Sequence, residues 1–215
     1  MIHWRSLNIG QRIMGAWVGI CVVGALLALN FSFFSIAFSP SSAEAQIAQA
    51  TGHPIPTACE NQLFSYSGMS LLGTGKPSVN DQCVSQDVVD TAPGIGWHWE
   101  LPLAAGLEVA ALVGLLVIRR DKRRTLTVTA FCVTAALTLL YEMGQFFNLF
   151  INSASAATNH VASASDLALV LDSNPQIGFY VELTLLASVV VMYAVVEGIQ
   201  VAARAVQPLD VGKSE

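Results

Sequence analysis

The chain has 215 residues, of which 53% are hydrophobic and only 12% charged, and its mean hydropathy is +0.57. A soluble domain carries about 25% charged residues, so this composition excludes an ordinary soluble enzyme or nucleic-acid-binding domain and points to the membrane. The formal net charge is −5, but the positions of the ten Lys and Arg residues say more than their sum.

Apolar residues are bunched into four runs, 13–38, 101–118, 125–151 and 178–201. A hydrocarbon core of ~30 Å needs about 20 helical residues to cross it, and each run is close to or above that length. The predicted fold is an all-α integral membrane protein, a four-transmembrane-helix bundle with a disulfide-stapled external loop. In chain order, an N-terminal segment 1–12 carries Arg5 and Arg12 and leads into the first helix, 13–38. This run is too long for the apolar region of a cleavable signal, usually about 7–15 residues, although Ala43-Glu44-Ala45 beyond it resembles a cleavage site. A permanent helix is expected. It holds the pattern Gly15-Ala-Trp-Val-Gly19, whose glycines make a flat groove for a neighbouring helix, inside the bundle or on another chain. Asn30, Ser32 and Ser35 suit a polar interior, and Phe31, Phe33, Phe34 and Phe38 suit lipid or partner contact.

Residues 39–98 form a long loop broken by Pro40, Pro54, Pro56, Pro77 and Pro93 and by glycine turns. Leu71-Leu72 and Val88-Val89 are too brief to build a large core. Cys59 and Cys83 are the expected staple, closing about 25 residues for a stabilisation of order 3 kcal/mol. Cys21 and Cys132 fall inside helices and are expected to remain reduced. Trp97-His98-Trp99-Glu100 anchors the entrance of the second helix, 99–118, at the headgroups. A basic loop, 119–124, contains Arg119, Arg120, Lys122, Arg123 and Arg124, and the third helix, 125–151, follows it. The second external loop, 152–177, has no Lys or Arg, with a short helical turn expected over Asp166 to Leu171. The fourth helix, 178–201, leads into a tail, 202–215, with Arg204 and Lys213. Only Lys76 lies outside the basic side. By the positive-inside rule both termini and the 119–124 loop are cytoplasmic.

Three glutamates stand within the runs. Glu108, Glu142 and Glu182 lie about 10, 13 and 7 Å below the external ends of their helices, so they share one layer. A charge at mid-bilayer costs at least ~2.5 kcal/mol on insertion scales. Counting 100° per residue, Thr127, Thr134, Thr138, Gln145 and Asn152 lie within about 80° of Glu142 as a polar stripe, and Tyr193 and Gln200 share the Glu182 face. Ala104, Ala105 and Ala111 around Glu108 allow close helix approach. Glu100 and Glu197 are at helix ends, where water and headgroups solvate them. With no Lys or Arg in the membrane core, the three acids are protonated and hydrogen-bonded inside the bundle, bind a cation or exchange protons, or meet a basic group on another subunit.

No P-loop, dinucleotide fingerprint, HExxH or GxSxG motif is present. The histidines, His3, His53, His98 and His160, lie at or beyond the membrane edges, so two of them cannot hold a haem in the bundle core. The basic loop contacts lipid headgroups at ~1 kcal/mol per charge rather than nucleic acid. Four helices, internal termini and a cysteine-paired first external loop together resemble the topology of claudin-like tetraspan proteins. The Trp–Cys–Cys signature of those proteins is not present in the loop, and topology alone implies no activity.

The sequence thus favours a non-catalytic membrane protein, an accessory or scaffold subunit of a larger complex, partnered by the lipid bilayer and by other membrane subunits or copies of itself. The Ala, Val and Ser bias suggests a bacterial inner membrane. The alternatives are a small oligomeric ion- or proton-coupled transporter or channel using the glutamates, and a membrane enzyme with an external site around His53, His98 or His160. No metal or cofactor is identified by the residues.

Overall fold

The computed structural model describes residues 9–38, 62–73, 76–80, 95, 99–118, 121–157 and 171–206. Helix α1 (Ile9–Ala28) is followed by strands β1 (Ser32–Phe38) and β2 (Phe64–Ser67), the short helix α2 (Gly68–Leu72) and strand β3 (Ser78–Val79). Then come the long helices α3 (Glu100–Val117) and α4 (Asp121–Ala157), strand β4 (Leu171–Pro175) and helix α5 (Ile177–Val206).

Three of the helices are long and apolar enough to cross a membrane, over Glu100–Val117, Arg123–Ala156 and Ile177–Ile199, and α1 contributes a shorter apolar stretch, Ile13–Ala28. The outer surface agrees. Ile13, Trp17, Ile20, Val23 and Leu27 of α1, Val109, Val113 and Leu116 of α3, and Val191, Val195 and Ile199 of α5 are all exposed. Large apolar side chains facing outward from several helices at once form a surface that water does not favour and lipid does. The molecule is a membrane-embedded helical protein.

The four long helices form a ring in the order α1–α3–α4–α5, each packed along its two neighbours, so α3 faces α5 and α1 faces α4 across the centre. Gly24 sets the α1–α5 approach, since a Cβ there would stand 2.9 Å from the Leu185 side chain. Helix α4 has 37 residues, or about 55 Å at 1.5 Å per residue. It outruns a ~30 Å hydrocarbon core, and its far end rises beside a small sheet.

That sheet corrects the all-α expectation. It has four antiparallel strands in the order β3-β2-β1-β4. Central β1 comes from the outer third of the first apolar run. The helix in that run ends at Ala28, where Asn30 N–H and Phe31 N–H close a turn on the Leu27 and Ala28 carbonyls, and Ser-Phe-Phe-Ser-Ile-Ala-Phe then extends. Aromatic and β-branched residues favour strands, and an apolar run has the same hydropathy in either conformation, so the boundary was hidden. Strand β4 pairs Phe34 with Pro175 and Ala37 with Asp172, which ties the chain before α5 to the chain after α1.

The sheet closes one end of the ring. Phe33 and Phe34 are 0% and 2% exposed, not turned to lipid as expected, because β1 lies between the helix ends and is covered on both faces. Phe34 stacks on Phe146 at 4.2 Å between centroids and lies 5.6 Å from Phe179. Tyr66 meets Phe146 and Phe150 edge-on at 5.4 and 6.3 Å. Phe31 remains exposed. Gly178 is obligatory in this corner: a Cβ would stand 2.7 Å from the Ser32 carbonyl oxygen and 2.8 Å from the Phe33 ring.

Cys21 and Cys132 are free and buried, as expected. The expected Cys59–Cys83 bridge lies outside the described residues, as does most of the turn expected over 166–171, whose last residue, Leu171, opens β4.

Candidate functional site

Each long helix after α1 presents a buried face at helical spacing, and each places glutamate in it, two on α3 and one each on α4 and α5. On α3 the series is Glu100, Ala104, Glu108, Ala111 and Gly114. On α4 it is Val128, Cys132, Ala135, Leu139, Glu142, Phe146 and Phe150, and on α5 it is Phe179, Glu182, Leu186 and Val189. The 3.6-residue period that carries the apolar side chains inward therefore carries the carboxyls inward too. Glu108, Glu142 and Glu182 are 0%, 1% and 0% exposed.

Glu108 and Glu182 stand on the two helices that face each other across the ring, and their carboxyl groups meet within hydrogen-bonding reach. The contact is not a well-aligned hydrogen bond, and none of their four oxygens has a partner elsewhere in the protein. The small neighbours Ala104 and Ala111, both fully buried, let two carboxyls meet where larger side chains would hold α3 away. Along the other diagonal, Cys132 lies within electrostatic reach of both Glu108 and Cys21. The Cys21 Sγ is 3.2 Å from Ser188 Oγ, whose hydroxyl also bonds the Leu185 carbonyl at 2.7 Å.

Glu142 is the neighbour of Glu100. Glu100 is only 7% exposed, which corrects the expectation of a solvated helix end: α4 and the short helix α2 pack against α3. One oxygen of each of these two acids also lacks a partner. Directly toward the sheet, one turn beyond Glu142 and Glu182, come Phe146 and Phe179, both in the aromatic stack. The carboxyls lie under an aromatic roof.

The other residues singled out in the sequence do not join them. Thr134 is exposed and Thr138 half-buried, and their hydroxyls donate to the carbonyls one turn back, Ala130 and Thr134, each at 2.9 Å. A threonine that satisfies itself on its own helix needs no polar interior, so the stripe runs beside the buried face rather than within it. Gln145 is half-buried. Tyr193 packs half-buried against the core, about 16 Å along α5 from Glu182. Gly15 and Gly19 do not pack inside this chain: a Cβ on either would meet nothing within 4 Å. The close glycines are Gly24, Gly68 and Gly178, which carry no motif; only the junction of an apolar run with a strand could have pointed to Gly178.

Chemically, the arrangement offers two carboxyls that can share a proton or receive a small cation. Among the described residues no group of three or more His, Cys, Asp or Glu side chains is placed to hold a metal ion. His3, His53, His98 and His160 lie outside the described residues. The chain matches no family model, no curated protein and no solved structure.

Proposed function

We propose that this protein is a non-catalytic subunit of a larger membrane assembly, an accessory or scaffold component that works by association. In this reading all four long helices cross a bacterial inner membrane, with both termini and the basic α3–α4 turn in the cytoplasm, as the Lys and Arg asymmetry requires. The observation that carries the proposal is the enclosure of carboxyls inside the bundle. Glu108 and Glu182 are fully buried beneath the Phe34, Phe146 and Phe179 stack. They cannot reach a partner's basic group, and aromatic side chains cover them toward the sheet. They serve as an internal cross-brace between opposite helices, and association falls to the apolar outer faces. Purification of the native protein in mild detergent should recover it with stoichiometric membrane partners or as a defined oligomer. Recovery as a monomer, with full activity of the host membrane's complexes in its absence, would reject the scaffold role.

A second reading rests on the same pair. Two carboxyls meeting across a bundle with four unpartnered oxygens suit an exchange site for a proton or small cation in an oligomeric carrier. Reconstituted vesicles distinguish the two: E108Q and E182Q should leave a scaffold unchanged and abolish flux in a carrier, because an amide keeps hydrogen bonding but cannot take or release the proton.

A further inference from the structure

The junction of α1 with the sheet holds a second feature, unrelated to the glutamates. A cleft of about 420 Å³ opens between the α1–β1 turn, the β2–α2 corner and the segment leading into β3. It is lined by Asn30 and Ser32 from the first, Ser65, Ser67 and Ser70 from the second, and Lys76 and Ser78 with Pro77 from the third. Among the described residues no carboxylate lines it.

Two of its hydroxyl protons are spent inside the protein, and others are left for a ligand. The Ser70 hydroxyl donates to the Ser67 carbonyl at 2.9 Å, and the Ser78 hydroxyl to the Ser65 carbonyl at 3.2 Å. The Ser67 Oγ accepts the Ser70 N–H at 3.1 Å, so its own proton remains to be donated. Ser32 and Ser65 share a hydroxyl contact of 2.5 Å; one proton makes that bond and the other is left over. Asn30 uses one amide N–H on the Leu27 carbonyl at 3.1 Å and keeps a second. Lys76 is exposed at the rim and adds three N–H donors and the positive charge. The free Ser67 proton, the one left over between Ser32 and Ser65, the second Asn30 N–H and the Lys76 cation suit a tetrahedral oxyanion.

The surroundings decide the source of that oxyanion. The cleft begins where α1 leaves its apolar surface: exposed Val23 and Leu27 lead up to exposed Phe31, and Met69 is exposed on the α2 side. A ligand seated here would have its charged end on the serines and Lys76 and its apolar end along α1. We propose that this cleft binds the phosphate-bearing headgroup of an anionic phospholipid, with an acyl chain lying along the Val23–Leu27–Phe31 face of α1.

The test uses the full chain purified in a neutral detergent and titrated calorimetrically with three probes: dihexanoyl phosphatidylglycerol, dihexanoyl phosphatidylcholine and inorganic phosphate. The anionic lipid should bind at least tenfold more tightly than either of the others. K76A should lose about tenfold of that affinity, K76R should keep it, and S67A should lose a smaller factor although it changes no charge. R123A, at the opposite end of the bundle, should lose much less than K76A. All these side chains are exposed or half-exposed, and an unchanged circular-dichroism spectrum and melting profile verify that each variant folds. Equal binding of the zwitterionic lipid, equal binding of free phosphate, or equal losses in K76A and R123A would each overturn the assignment, the first by showing ordinary annular lipid, the second a free-anion site and the third general surface charge.

Discussion

Phe34 and Phe146 stack at 4.2 Å at the sheet end of the bundle, whereas toward the basic turn α3 meets α4 through a glycine, Gly114, whose absent Cβ would lie 3.4 Å from Val128. The two halves of one membrane bundle are packed by different means. Toward the sheet the interior is aromatic and acidic, and three strands' worth of backbone pairing fixes where α1 stops and α5 starts. Toward the basic turn it is small and aliphatic, with Val18, Val22, Ala111, Val128 and Val189 meeting without a cross-link. Among the described residues the buried carboxyls occur only in the first half. A polar group inside a bilayer-spanning bundle is costly unless its position is fixed, and here it sits where helices are already held together at their ends.

The largest expected effect tests that contrast directly. F146A removes a ring that touches Phe34 and Tyr66 and should destabilise the protein by about 3–5 kcal/mol. V128A at the other end should cost about 2 kcal/mol from the lost methyl groups and a small void. Reversible unfolding in mixed detergent measures both, and a larger loss in V128A would invert the comparison. Next comes G178A. The added methyl would press on the Ser32 carbonyl and Phe33, backbone and buried ring that have little room to yield, for a cost of about 1–3 kcal/mol. Amide exchange in β1 and β4 should accelerate in the same variant, and unchanged exchange would show that the corner is looser than its contacts imply.

The sheet end also carries a pH dependence. Burial pushes the Tyr66 phenol up from its ordinary value. Tyr66 then stays protonated in the folded protein while an unfolded tyrosine ionises near pH ~10. Its contribution to stability is therefore complete below pH ~10 and declines as the pH rises above it. Alkaline unfolding of the wild type should be steeper than that of Y66F; identical profiles would mean the phenol is reached by water before the fold opens.

How much of this was readable beforehand follows from what periodicity encodes. The bundle helices, the inward direction of Glu108, Glu142 and Glu182, and the buried free thiols at Cys21 and Cys132 all follow from apolar length and 100° spacing. The partnership of Glu108 with Glu182 rather than with Glu142 depends on the ring order of helices, which spacing along one chain does not contain. The strand β1 was masked because Phe, Ile and Ala satisfy a helix and a strand equally on hydropathy. The Thr134 and Thr138 stripe misled because a hydroxyl bonded to its own helix behaves as an apolar group. Gly15 and Gly19 carry a motif and make no close contact in the chain; Gly24, Gly68 and Gly178 carry none and make the closest.

A smaller effect is expected at the carboxyls themselves. If the pair acts as a protonated brace, E108Q and E182Q should each change stability by no more than about 1 kcal/mol, since an amide offers a donor and an acceptor in the same volume. E108L should cost more than E108Q despite its apolar character, because it leaves the Glu182 carboxyl facing hydrocarbon. A leucine variant as stable as the glutamine one would remove the brace and leave only packing.

The smallest effect on the isolated chain is expected at Gly15, in the half that lacks a cross-link. A Cβ there would meet nothing within 4 Å, and leucine is a better helix former than glycine by up to about 1 kcal/mol. G15L should therefore be as stable as the wild type in detergent, or slightly more so. In the native membrane the same side chain would fill the flat surface between Gly15 and Gly19, and if that surface meets another subunit the co-purified partner should be lost. Gain of stability with loss of the partner would show that this half of the bundle is left open for association while the sheet end supplies the fold. Gain of stability with the partner retained would move the interface to another face of the ring, to the exposed Val109–Val113 face of α3 or the Val191–Val195 face of α5, where V113W and V195W are the next variants to test by the same co-purification.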